Sequence, residues 1–115
     1  MIFPSIFAIA VGVLMIGQWS FFYLSHQIPE LETEPYRILF HLAGEFATAV
    51  ALIVGGAGLL MGQAWASWLY MVAMGMLLYT MIVSPGYFAQ RGQWPFVGMF
   101  AFLLILAIVS IILVA

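Results

Sequence analysis

Four stretches of this chain run predominantly apolar for twenty residues or more: residues 3–24, 37–60, 64–83 and 94–115. A helix needs about 20 mainly apolar residues to cross the hydrocarbon core of a bilayer, so each stretch is long enough to span. The segments between them are short and leave no room for a second, soluble domain. A transmembrane β-barrel would need shorter segments of alternating polarity, and residues 100–114 do not alternate. The pattern predicts an all-α integral membrane protein, a four-transmembrane-helix bundle with short loops.

Composition closes off the other classes. Of 115 residues, 67% are hydrophobic and only six are charged, two Arg and four Glu. A soluble domain carries about 25% charged residues, so a water-exposed globule of this make-up could not cover its core. A disordered chain is poor in aromatics, whereas 17% of these residues are aromatic. There is no cysteine, which removes disulfides, thiolate metal sites and cysteine nucleophiles. Two arginines make no basic patch, so nucleic acid is not an expected partner. The apolar N-terminus lacks the positive region of a secretory signal and reads as a retained first span.

Local signals place the span ends. Pro4 sits where a helix start tolerates proline, Gly62 suits a helix exit, and Ser84-Pro85-Gly86 reads as a stop. Trp19, Trp65, Trp68 and Trp94 fall toward span ends, as in an aromatic belt. With four spans, loops 25–36 and 84–93 share one side and both termini share the other. The first of these sides carries Arg37 and Arg91, which makes it cytoplasmic by the positive-inside rule. A multi-pass protein of the cell membrane is the expectation. Most polar residues also fall on that side, so any chemistry is expected there.

Glu45 is the costly residue. It lies eight residues past Arg37, about 12 Å along a helix at 1.5 Å per residue, inside a core about 30 Å thick. A charge at that depth costs at least about 2.5 kcal/mol, so Glu45 is expected to face the bundle interior, protonated or partnered. Arg37, His41 and Glu45 are spaced by four and form one helical ridge. Gln18 and Tyr79 lie at a comparable depth in spans one and three and are expected to join them. The five residues define a candidate ligand-binding or proton site. The competing reading is an interhelical hydrogen-bond clamp. Past Thr48 the ridge turns dry at Leu52 and Ile53, which argues against a simple channel.

Other constellations are weaker. His26 and His41 could serve as axial haem ligands, but they fall at different levels of their spans. Glu30, Glu32 and Glu34 could offer oxygens to a divalent cation, yet a proline-flanked acidic loop is more often simply solvated. No catalytic set, metal cluster or nucleotide motif is present, so a non-enzymatic role is favoured, without a resident cofactor. Ala43, Ala47, Ala51 and Gly55 recur every four residues, with Gly44, Gly56 and Gly58 nearby. Small residues let membrane helices approach closely, which predicts that span two is the central helix.

The run Gly44-Glu45, Leu52-Ile53, Gly55-Gly56, Gly58-Leu59-Leu60 and Gly62 resembles the second span of DoxX-type four-helix membrane proteins. That resemblance implies an accessory or assembly role beside a partner membrane protein, some members being subunits of quinol-linked oxidoreductases. The chain is also similar to small multidrug transporters in length, span number and a single intramembrane glutamate, although theirs lies in span one. Two functions follow as expectations. One is a non-catalytic accessory subunit or binder of a small quinone- or lipid-like ligand, in the bilayer with a partner protein or as a homo-oligomer. The alternative is a proton-coupled small-molecule exporter acting as an oligomer through Glu45.

Overall fold

The computed structural model describes residues 2–115. It contains α1 (Ile2–Leu24), a single-turn α2 (Glu30–Thr33), α3 (Pro35–Leu60), α4 (Ala66–Gln90) and α5 (Trp94–Val114), with no strand among the described residues. The four long helices are each long and apolar enough to cross a membrane. They form a bundle 44 Å along its longest axis, close to the ~40–45 Å of a bilayer with its headgroups.

Each long helix presents an inward stripe at helical spacing. On α1 this stripe is Ala8, Val11, Met15 and Trp19; on α4 it is Tyr70, Ala73, Leu77, Ser84 and Phe88, all buried. The outward faces stay apolar, with Phe40, Phe102, Ile105 and Ile112 each at least 60% exposed. Those faces suit lipid rather than water.

Helix α3 packs against α1, α2 and α4, α4 packs against α5, and α5 closes back onto α1. The bundle is an up-down-up-down ring with α3 at its most contacted position. The small residues of α3 divide between two roles. Gly55, Gly56 and Gly58 are buried, whereas Ala43, Gly44 and Ala47 face outward. A Cβ on Gly56 would stand 2.8 Å from the Ser5 carbonyl oxygen, and one on Gly12 would stand 2.8 Å from that of Ala49. Close approach of α1 to α3 therefore depends on absent side chains. At the same end, the buried Tyr70 hydroxyl bonds Ser110 and donates to the Pro4 carbonyl at 3.2 Å, tying α4 to α5 and α1. That end of the bundle is dry and tightly closed.

The other end differs from expectation in one respect. Span three was expected to stop at residue 83, but α4 runs through Ser84-Pro85-Gly86 to Gln90. Proline removes one hydrogen bond from a helix interior, here to the carbonyl of Met81, and bends the helix. The turns beyond it still form, so the loop shrinks to residues 91–93. Loop one is likewise structured: Ile28 is buried with Trp19 and Ile38, and Leu31 packs on them, which docks α2 against the bundle mouth. Helix α1 ends in a turn in which His26 takes φ 59°, where α3 and α4 end with Gly62 and Gly92 at φ 68° and 72°.

The glycine contacts give a direct test. Gly56→Ala should lower the unfolding midpoint in detergent, at a cost of about 1–3 kcal/mol from overpacking. Gly75→Ala, which meets nothing within 4 Å, should leave it unchanged or slightly raise it.

Candidate functional site

Glu45 lies on the inward face of α3 and is 4% exposed. Ordinary solvation is out of reach there, so protein donors must replace water around the carboxyl. Three helices supply them. From α4, the Ser84 hydroxyl donates to Glu45 Oε1 at 3.4 Å. One turn earlier on α3, His41 Nε2 stands 3.5 Å from the same oxygen. From α1, the buried indole of Trp19, a group that can only donate, faces the carboxyl. The edge of Trp19 also meets the His41 ring, with centroids 5.3 Å apart, which limits how that imidazole can turn.

Two cavities meet at this cluster. A loop-side cavity of about 530 Å³ opens among Glu30, Arg37, Tyr87 and Arg91 and reaches inward to His41 and Ser84. A lateral groove of about 470 Å³ runs between α3 and α4, lined by Phe40, Glu45, Thr48, Met76, Tyr79 and Ser84 among others. His41 and Ser84 line both. The hydroxyls of Thr48 and Thr80 donate to the carbonyls of Gly44 and Leu77 in their own helices. The other polar side chains lining the groove are His41, Glu45, Tyr79 and Ser84.

Of the five residues expected at the site, the structure brings His41 and Glu45 into direct contact. Arg37 lines the loop-side cavity, but it is largely exposed and pairs with Glu34 at 3.3 Å. Tyr79 sits on the groove rim, 68% exposed. Gln18 lines neither cavity; its neighbour Trp19, about 100° further round α1, takes the inward position. Trp19 and Ser84 are the members that sequence reasoning missed. Trp19 was grouped with a belt to which the exposed Trp65, Trp68 and Trp94 conform, and Ser84 was read as part of a helix stop. The spacing of Trp19 after Val11 and Met15 was the signal that could have found it.

The cavity mouth carries a second polar layer. Arg91 Nη2 stands 3.6 Å from Glu30 Oε1 and packs over the Tyr87 ring at 4.3 Å, linking the end of α4 to α2. Glu30 is thus more enclosed than a solvated loop carboxylate, and its Oε2 is buried without a hydrogen-bond partner. Among the described residues no group of three metal-ligating side chains comes together. His26 lines neither cavity, so the two histidines do not share a haem pocket.

The chain matches the model of a domain of unknown function (DUF8058) over residues 2–115 and belongs to that family. No curated protein and no solved structure matches it.

The donor set around Glu45 is testable by stability. Trp19→Phe keeps an aromatic ring but removes the indole N–H facing the buried carboxyl, and should cost about 1–3 kcal/mol in detergent unfolding. Gln18→Leu should change stability by no more than about 0.5 kcal/mol.

Proposed function

We propose that the protein is a non-catalytic membrane binder of a small amphiphile with a hydrogen-bonding headgroup, quinone- or lipid-like, held at Glu45 and His41. The observation that carries this reading is the lateral groove between α3 and α4. It joins outward-facing Phe40 and Tyr79 at its rim to the buried carboxyl of Glu45. An apolar tail would lie along the rim in contact with lipid, while the headgroup exchanges hydrogen bonds with Glu45 and the imidazole. Such sites are mostly apolar with a few convergent polar groups, which describes this groove.

The ligand would be held for, or passed to, a partner membrane protein, in keeping with the accessory role that the DoxX resemblance implies. In this reading the protein acts in the cell membrane, with the side carrying Arg37 and Arg91 cytoplasmic.

Gly44 provides a clean test, because it lines the groove and an added Cβ there meets nothing within 4 Å. Decylubiquinone and a lysophospholipid, titrated against the purified protein in detergent, should include at least one saturable binder. Glu45→Gln should weaken that binder at least tenfold, and Gly44→Leu should abolish its binding with the unfolding midpoint retained. Binding of neither probe, or equal binding to the wild type and both variants, contradicts the reading.

A further inference from the structure

The groove serves the proposed ligand, but it leaves the loop-side cavity without a role, and the two differ in the side chains at their openings. The groove opens on apolar, outward-facing side chains, with Phe40 78% and Tyr79 68% exposed. The loop-side cavity opens between charged ones, with the Arg37 side chain 81% exposed and that of Arg91 40%. An apolar tail has no business in the second opening, and water has little in the first. Both converge on the wall made by His41 and Ser84, and both of those side chains address Glu45 Oε1, at 3.5 and 3.4 Å. At the opposite end Leu52 and Tyr70 are fully buried and the glycines of α3 bring the backbones together.

We infer that Glu45 has two separate entrances: a lateral one for the amphiphile, and an aqueous one through the loop-side cavity, in which His41 passes water-borne protons to and from the carboxyl. This rests on the ligand reading for the purpose of the groove, but the aqueous entrance stands on the cavity geometry alone. Imidazole suits the position because one ring nitrogen can accept a proton while the other releases one. The proton moves from water in the cavity to His41 and from Nε2 to Oε1, and the reverse step returns it, so no other reactant is needed. The groups that face His41 set the field around this path. They are Arg37 on its own helix, Glu30 on α2, Glu34 at the α2–α3 junction, and Tyr87 with Arg91 on α4. The α1 neighbour, Trp19, is uncharged. A headgroup bound at Glu45 would therefore exchange protons with one side of the membrane only.

Two glycines allow each entrance to be closed separately. Gly86 lines the loop-side cavity and Gly44 the groove, and a Cβ at either meets nothing within 4 Å. The experiment follows deuteration of the Glu45 carboxyl by infrared spectroscopy on transfer of the full-length protein in lipid nanodiscs to acidic heavy water. The band is assigned by its loss in Glu45→Gln. Gly86→Leu and His41→Phe should each slow exchange at least tenfold, and Gly44→Leu should leave it at the wild-type rate. Equal rates in all variants, or slowing by Gly44→Leu alone, overturn the inference. Because the chain has no other cysteine, Ser84→Cys gives a second reading in the same nanodiscs. A charged methanethiosulfonate should label it in a manner blocked by Gly86→Leu and not by Gly44→Leu; the opposite pattern overturns the inference. Neither measurement involves the amphiphile, so failure of the ligand reading alone leaves these outcomes unchanged.

Discussion

A carboxyl group among apolar helices has no water to solvate it, and each unsatisfied polar group in hydrocarbon costs several kcal/mol. Glu45 meets that constraint with the hydroxyl of Ser84 from α4, the imidazole of His41 one turn earlier on its own helix, and the indole of Trp19 facing it from α1. For these groups to converge, α1, α3 and α4 must present Trp19, Glu45 and Ser84 at one level. The side chains that achieve this are bulky or polar, and they leave space beside them. The loop-side cavity and the lateral groove are the consequence.

The opposite half of the bundle works under a different rule. Lipid tails are as apolar as leucine, so helices gain little by hiding apolar surface and associate through close contact instead. Gly12 and Gly56 bring α1 and α3 together, Gly55 lets α3 meet the α4 backbone near Tyr70, and Tyr70 locks three helices with one hydroxyl. One end is built for rigidity and the other for access. Pro85 lies at the open end, within α4 and next to Ser84, where its ring leaves the carbonyl of Met81 without the usual helical donor.

Much of this was legible in the sequence because the bilayer imposes so few solutions. Long apolar runs can only be helices, and a glutamate inside one can only face inward; both statements follow from solvation and need no tertiary information. The His41–Glu45 contact followed from their spacing by four. What sequence could not resolve was rotation. Gln18 and Trp19 are adjacent, and choosing polarity over periodicity selected the wrong neighbour: Trp19 turns its ring to the core stripe that Val11 and Met15 begin. Ser84-Pro85-Gly86 looked like a stop because proline and glycine weaken helices, but packing of Phe88 against Phe96 and Phe100 carries α4 past them. The outward-facing Ala43 and Ala47 show the converse, a small-residue ridge that the chain does not use within its own bundle.

The central claim is that the groove at Glu45 holds one amphiphile in the protein's native membrane. It is tested most directly by native mass spectrometry of the chain released gently from that membrane, beside its Glu45→Gln variant. The account predicts a stoichiometric adduct of lipid or quinone mass on the wild type that is lost in the variant. A bare wild-type chain, or an adduct equally retained by Glu45→Gln, would contradict it.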